Sequence, residues 1–249
     1  MRICISGTGC QGKSTLIEAF LKKWPNYTTP KKTYRDLLIK EKMSHSKGTT
    51  KDVQWAILNE MIDEFQKHDK DSNVVYDRGP LDNLVYTIYG YGKDSDGIDD
   101  KYVGKTIELV KETLKLLDIN FLIPITKFND IDYKSEISKQ KSKLNKKKHV
   151  DVEFIEECNT IFQAIKNDWE TNPDTKFFDI RDMPAIIEVY GTTEQRLQII
   201  GMYLDDSGNL VDEPSVLSEA DIYEQANLAD QLGVPNPTGD ILKNPKGYE

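Results

Sequence analysis

The sequence predicts an α/β fold in which a parallel sheet of about five strands is covered by helices on both faces. Two observations predict it. Short apolar segments alternate with longer segments of helical period, and a glycine-rich turn joins the first strand to the first helix. Strands buried on both faces appear as continuous apolar runs, and parallel neighbours need helical crossovers, so both observations favour the same architecture.

The elements follow one another as strand and helix along most of the chain. Pro25 ends the first helix, and Thr49 or Thr50 would cap the second. Strands are predicted over 2–6, 27–29, 73–77, 120–125 and 185–190, and helices over 13–24, from 49 or 50 to 65, from Pro80 onward, over 100–117, over 150–169 and around Arg196.

Two segments stand apart from this alternation by their charge. Residues 127–148 are rich in lysine and without a clear apolar period, so we expect a mobile loop or a loosely ordered helical arm that acts as a lid. No Lys or Arg occurs between Asp205 and Leu242. The expected organisation is a domain over 1–204, which carries the lid, and a short acidic C-terminal extension over 205–249.

Composition excludes several classes of protein. The 249 residues are 38% hydrophobic and 30% charged, and no apolar run approaches the roughly 20 residues that a membrane-spanning helix needs. Three cysteines without a CxxC pair predict neither a disulfide framework nor a cysteine zinc site, and they favour a reducing, cytoplasmic location. The net charge of −9 disfavours a nucleic-acid partner but leaves a local anion site open.

The segment between the first strand and the first helix matches the phosphate-binding pattern G-x-x-x-x-G-K-[ST] in full. Its glycines let backbone N–H groups converge on phosphate oxygens at a helix N-terminus. Lys13 would reach the β- and γ-phosphates, and the Ser14 hydroxyl would bind Mg²⁺. The sequence therefore predicts a P-loop NTPase fold and a site for ATP and Mg²⁺, contacted by Gly7, Gly9, Cys10, Gln11, Gly12, Lys13, Ser14 and Thr15.

A second candidate segment ends the strand predicted over 73–77. Asp77 is placed there to meet the magnesium ion or its waters, so Ser14 and Asp77 form the predicted metal site. Arg78 follows directly. A plain solvated turn after the strand is the alternative interpretation.

Residues 74–82, VVYDRGPLD, resemble the strand-end segment of thymidylate-kinase-like and deoxynucleoside-kinase-like P-loop enzymes. That resemblance implies that Arg78 holds the phosphate or 5′ oxygen of an acceptor and that the acidic residue assists the metal or the acceptor. Asp82, in the same segment, is included among the substrate-binding candidates. Gly79 departs from the pattern, because those enzymes commonly carry an aromatic residue or serine there.

The order of motifs over about 1–204 also resembles an AAA-labelled group of small P-loop proteins that is common in phages and related to ribosylnicotinamide kinases. The segments that carry this resemblance are ISGTGCQGKSTL, TYRDLL, DRGPLDNLVY, FLIPI and IEVYGTTEQRL. It implies phosphoryl transfer to a small molecule. Family members generally offer arginine in the lid, whereas 127–148 holds lysines and no arginine, which departs from the usual clamp on the transition state.

Weaker candidates surround these motifs. Arg35 would pair with an acceptor phosphate and Asp36 would accept the proton of the attacking hydroxyl, or the two form an exposed pair at a helix start. Arg196 follows a late strand and Gly191, where related kinases often contact the adenine, and an arginine on the surface of a helix is the favoured interpretation. Lysines of the lid would close over the triphosphate, or form a solvated charged segment; they are Lys134, Lys139, Lys141 and Lys143.

The leading functional hypothesis is a kinase that moves the γ-phosphoryl group of ATP, with Mg²⁺, to a nucleoside or nucleoside monophosphate. Lys13, Asp77, Arg78 and Asp36 are its predicted catalytic residues, and Arg35, Arg78 and Asp82 its predicted substrate contacts. Two alternatives stay open: a polynucleotide or modified-base DNA kinase, and a regulatory ATPase or NTP-binding switch. The expected partner is a small-molecule acceptor, with no membrane, and the acidic extension leaves a homodimer open.

Overall fold

A computed structural model describes residues 1–31, 36–37, 49–135, 137–138, 152–171 and 184–211. The chain divides into two compact units, Met1–Ile200 and Gly201–Glu249. Within the described residues of the second unit, Leu204 and Leu210 form a single antiparallel bridge around a turn. The Asp205 carboxylate accepts a hydrogen bond from Asn209 N at 2.8 Å and so holds that turn. The predicted boundary after residue 204 stays a prediction.

Four parallel strands form the sheet of the first unit: β1 (Arg2–Gly7), β2 (Val74–Asp77), β3 (Ile119–Ile123) and β4 (Ala185–Glu188). Their spatial order is β2-β1-β3-β4. β1 therefore lies between β2 and β3, with Ile5 beside Asp77 and Gly7 beside Ile123. All of β3 is buried, which means that both of its faces are covered. The predicted α/β fold with a parallel sheet is confirmed.

The predicted second strand is reduced to one residue. Thr28 bridges Val74 at the outer edge of β2, where Val75 N donates to Thr28 O at 2.9 Å. Pro30 follows two residues later and has no N–H to continue the pairing. Within the described residues the sheet therefore has four strands, where the sequence predicts about five.

Helices surround the sheet at the places where the sequence predicts them. They are α1 (Lys13–Lys23), α2 (Lys51–Gln66), α3 (Pro80–Tyr91), α4 (Asp100–Leu114), α5 (Val152–Thr171) and α6 (Thr193–Gly201). Thr50 caps α2 through a hydrogen bond from Val53 N, and Asp99 caps α4. No helix among the described residues is both long and apolar enough to span a bilayer.

The topology fixes where a ligand would bind. In parallel sheets, ligands bind outside the carboxyl ends of the strands, where neighbouring strands lead their connections in opposite directions. β1 ends at Gly7, with β2 on one side and β3 on the other. The phosphate-binding motif, Asp77 and the residues after β3 and β4 therefore meet at one edge of the sheet.

Candidate active site

The glycine-rich loop between β1 and α1 turns sharply, and its backbone explains its sequence. Gly7 has a φ of 134° and Gly12 a φ of 74°, a region that residues with a side chain rarely adopt. A Cβ at Gly7 would lie 2.6 Å from the carbonyl oxygen of Ile123 in the neighbouring strand. Cys10 also has a positive φ of 62°. The loop thus folds into a compact turn at the N-terminus of α1, where helix N–H groups lack intrahelical acceptors.

Lys13 points back into this turn. It is 4% exposed, and its Nζ donates to the carbonyl oxygen of Gly7 at 2.8 Å and to that of Thr8. An ammonium group offers three donors and no acceptor, so it binds phosphate oxygens in the same way as it binds these carbonyls. Lys13 therefore lies inside the loop, and its predicted contact with the β- and γ-phosphates stays a prediction.

Ser14 and Asp77 approach each other across the edge of the sheet. Ser14 Oγ donates to Asp77 Oδ2 at 3.3 Å, although 63 residues separate them in sequence. The pairing of Ile5 with Asp77 carries the carboxylate to the first turn of α1. A hydroxyl and a carboxylate are hard oxygen ligands, and Mg²⁺ commonly uses one or two of them together with phosphate oxygens and water. These two residues fit a magnesium ion bound to a nucleotide.

Arg78 forms a buried ion pair immediately beside this loop. Its Nη1 donates to Asp82 Oδ1 at 2.9 Å, to the carbonyl oxygen of Gly7 at 2.7 Å and to Tyr86 Oη at 2.8 Å. Asp82 has no exposed surface and also accepts from the backbone N–H groups of Gly7 and Gly79, at 3.2 Å and 3.1 Å. Arg78 has a φ of 77°, a strained backbone that these contacts hold in place. Asp82 therefore joins the start of the phosphate loop to the turn after β2.

A pair of buried amides fixes α2 against α3 next to Arg78. Asn83 Nδ2 donates to the backbone oxygen of Gln54 at 3.0 Å and to its side-chain oxygen at 2.9 Å. Gln54 Nε2 in turn donates to Thr49 Oγ1 at 2.6 Å. This cluster could not be predicted from the sequence, because single amides within helical segments give no distinctive pattern.

Asn129 joins the loops that follow three strands. It too was not among the residues predicted from the sequence. Its Nδ2 donates to the carbonyl oxygen of Pro124 at 2.7 Å and to Gln11 Oε1 at 3.4 Å. Its Oδ1 accepts from Gly191 N at 3.0 Å. One side chain thus connects the loops after β1, β3 and β4, which supports the back of the phosphate loop.

Arg196 is buried, so the interpretation of it as an arginine on the surface of a helix is wrong. It has no exposed surface, and its Nη1 donates to the carbonyl oxygen of Gln11 at 2.8 Å. Burial lowers the pKa of its guanidinium, and the nearby Asp130 opposes that effect. Arg196 and Ile200 are the buried residues of α6, and their spacing of four was the signal that both lie on its inner face.

The remaining predicted residues are less well placed. Arg35 lies outside the described residues, as do Lys139, Lys141 and Lys143 of the lid. Asp36 is described and exposed. Lys134 is exposed and forms an ion pair of 3.7 Å with Glu156 of α5. Thr15 is exposed on the first turn of α1. For these residues the predicted roles stay predictions.

This fold, with a phosphate loop after β1 and an acidic residue at the end of the adjacent strand, is that of the P-loop nucleoside and nucleotide kinases. The resemblance predicted from the motifs is confirmed. Residues 2–110 match a family model described as an AAA domain. No curated protein matches the sequence significantly.

Solved structures support the same fold at low sequence identity. Deoxyadenosine kinase from M. mycoides with bound dATP gives a TM-score of 0.56 at 19% identity, covering 81% of this chain and 97% of that one. Thymidylate kinase from Candida albicans gives 0.50 at 17% identity, covering 85% and 95%. A NadR protein in complex with NR gives 0.52 at 12% identity, covering 85% of this chain and 51% of that one.

Proposed function

We propose that the protein is a phosphotransferase that moves the γ-phosphoryl group of ATP, with Mg²⁺, to a nucleoside or nucleoside monophosphate. One observation carries this proposal: Lys13 of the phosphate loop and Arg78 of the turn after β2 donate to the same carbonyl oxygen, that of Gly7, at 2.8 Å and 2.7 Å. Two cations therefore lie side by side between the loop and the neighbouring turn. Phosphoryl transfer depends mainly on positioning and on positive charge around the transferring group.

The roles of the chain's residues follow from this arrangement. The loop amides and Lys13 would hold the triphosphate, and Ser14 with Asp77 would hold the metal ion, which neutralises developing charge when bound. Arg78 would hold the acceptor's phosphate or 5′ oxygen, with Asp82 fixing the guanidinium. Arg35 as an acceptor contact and Asp36 as the base for its hydroxyl remain predictions. A soluble, cytoplasmic protein with a small-molecule partner is the setting that this proposal assumes.

The experiment is a transfer assay with γ-labelled ATP and Mg²⁺ against nucleosides, nucleoside monophosphates and single-stranded DNA with a free 5′ hydroxyl. Label on a nucleoside or monophosphate, lost in Lys13→Met, is the expected result. Label on DNA alone would support a polynucleotide kinase instead. ATP bound or slowly hydrolysed, with no label on any acceptor, would contradict the proposal and favour the regulatory ATPase.

A further inference from the structure

Arg196 carries a buried charge that forms no ion pair within the described residues, although Asp130 lies near enough to favour the charged guanidinium. Its side chain has no exposed surface, and only Nη1 makes a hydrogen bond, to the carbonyl oxygen of Gln11 at 2.8 Å. Nε and Nη2 are buried and have no hydrogen-bond partner within the described part of the chain. Buried charges in proteins are nearly always paired, because leaving water is costly for an ion. A negative charge bound in the neighbouring phosphate loop would compensate this guanidinium further.

The position of Arg196 identifies the kind of ligand. It lies directly behind the phosphate loop: a Cβ at Gly12 would come within 3.3 Å of Arg196 Nη1. Gly12 is the N-cap residue of α1, so the N-terminal end of that helix begins here. The helix N-terminus and the guanidinium both place positive charge beside the phosphate loop.

The hydrogen bond to Gln11 also orients the loop. In a trans peptide the C=O of one residue and the N–H of the next point in opposite directions. Arg196 holds the carbonyl of Gln11 toward α6. The N–H of Gly12 consequently points away from α6, toward the inside of the loop where Lys13 lies.

We propose that Arg196 is a positioning residue for the nucleotide: it orients the Gln11–Gly12 peptide and supplies a buried positive charge that the phosphate chain of a nucleoside di- or triphosphate compensates. This inference rests on the proposed function in one respect, namely that a nucleotide occupies the loop. It gives Arg196 a role in binding the phosphoryl donor that neither the G-x-x-x-x-G-K-[ST] motif nor the turn after β2 provides.

The proposal predicts opposite effects on stability and on binding. Arg196→Met removes a buried charge that forms no ion pair and keeps an unbranched side chain of similar reach, so the unfolding temperature of the ligand-free protein is expected to stay or rise. The affinity for Mg-ATP and for pyrophosphate is expected to fall about ten-fold or more, because the Gln11–Gly12 peptide loses its orientation and the loop loses a nearby positive charge. Arg196→Lys keeps the charge and is expected to restore part of that affinity.

Asn120→Val is the matched control. Asn120 is also buried, and both polar atoms of its side chain lack a hydrogen-bond partner within the described residues, but it lies in β3 beside Cys4, away from the phosphate loop. Its replacement is expected to keep or raise the unfolding temperature and to leave the Kd for Mg-ATP unchanged. The contrast separates relief of an unpaired buried group from loss of an anion contact.

Calorimetric titration with Mg-ATP and pyrophosphate, together with thermal unfolding, tests the inference. An unchanged Kd in Arg196→Met would overturn it and leave the phosphotransferase proposal intact. A fall in both stability and affinity that Arg196→Lys does not rescue would also overturn it, because a purely structural residue behaves in that way. Weaker binding at unchanged stability in a protein that phosphorylates no acceptor would support the inference and contradict the proposed function. A wild-type protein that binds neither probe would overturn both.

Discussion

Two buried arginines flank the phosphate loop, and they differ in one respect. Arg78 donates to the carbonyl of Gly7 at the start of the loop, and Arg196 donates to the carbonyl of Gln11 near its end, at 2.7 Å and 2.8 Å. Arg78 has a carboxylate partner, Asp82, at 2.9 Å. Within the described residues, Arg196 forms no ion pair, and Asp130 favours its charged form without a hydrogen bond to Nε or Nη2.

The difference shows two ways in which a protein places charge next to an anion site. The pair at the start of the loop joins the turn after β2 to β1. The arginine at the end of the loop forms no ion pair within the described residues. The first contributes to the stability of the fold as well as to its proposed role in holding the acceptor, whereas the second is expected to contribute to binding at little benefit to stability.

The largest expected effect follows from breaking the complete pair. Asp82→Ala leaves the Arg78 guanidinium buried beside an empty space and removes the acceptor for two backbone N–H groups. Removing one partner of a buried ion pair costs about 3–5 kcal/mol. We expect a loss of that order in the free energy of unfolding, measured by urea denaturation, against no loss for Arg196→Met.

The double variant Asp82→Ala with Arg78→Met is the control for that experiment. Removing both charges avoids the uncompensated guanidinium, so part of the lost stability is expected to return. If Asp82→Ala and Arg196→Met changed the free energy of unfolding equally, the distinction between the two arginines would be wrong.

The next largest effect on stability is expected from Gly7→Ala, at the start of the phosphate loop. Gly7→Ala would force a side chain into a backbone with φ of 134° and place its Cβ 2.6 Å from a backbone oxygen of β3. Strain of this kind costs about 1–3 kcal/mol. Gly9→Ala is the matched control, because its Cβ would meet only Ile155 Cδ1, at 3.7 Å. Equal unfolding temperatures for the two variants would contradict the described geometry of the loop.

A smaller effect is expected at the metal site. Ser14→Ala removes one of two oxygen groups that fit Mg²⁺, so the gain in ATP affinity that Mg²⁺ provides should fall about ten-fold, or roughly 1.4 kcal/mol. Titration with ATP in the presence of Mg²⁺ and of EDTA measures that gain. Asp77→Asn is expected to reduce the same gain, and the two losses should not add, since both groups hold one ion. Additive losses would show that Ser14 and Asp77 act independently.

The smallest effect is expected in the order in which the three cysteine thiols are alkylated. Burial raises the pKa of Cys4, and the neighbouring Asp82 adds to that shift; burial likewise raises the pKa of Cys158. Both thiols therefore stay protonated and unreactive near pH 8. Cys10, half-buried within the loop, is expected to be alkylated first by iodoacetamide, more slowly with Mg-ATP present. Mass spectrometry locates the label, and labelling of Cys4 or Cys158 before Cys10 would contradict this order.

Much of the fold was predictable because its signals are local. The alternation of apolar strands with helices predicted the sheet, and Thr50 as the cap of α2 needed only the adjacent sequence. The phosphate loop was predictable because Gly7 and Gly12, which both have a positive φ, stand at the spacing of the G-x-x-x-x-G-K-[ST] pattern. The link between Asp82 and Arg78 is also local, because Asp82 lies in the first turn of α3 and reaches back to the turn that holds Arg78.

What the sequence did not predict depends on contacts between distant segments. No acidic residue lies three or four positions from Arg196, so only the packing of α6 against the loop reveals its partner, Gln11, 185 residues away. Asn129 connects three loops that only the order of the strands brings together. The second strand shortened to Thr28 because a single edge pairing gains too little to extend past Pro30.

The most direct test of the account is calorimetric titration of the wild-type protein and of Lys13→Met with Mg-ATP. Lys13 is the cation that the loop encloses, so the account predicts one ATP bound per chain by the wild type and a loss of affinity of at least about 100-fold in the variant, with unchanged unfolding temperature. No heat of binding from the wild type, or equal affinity in the two proteins, would contradict the claim that this loop binds the triphosphate.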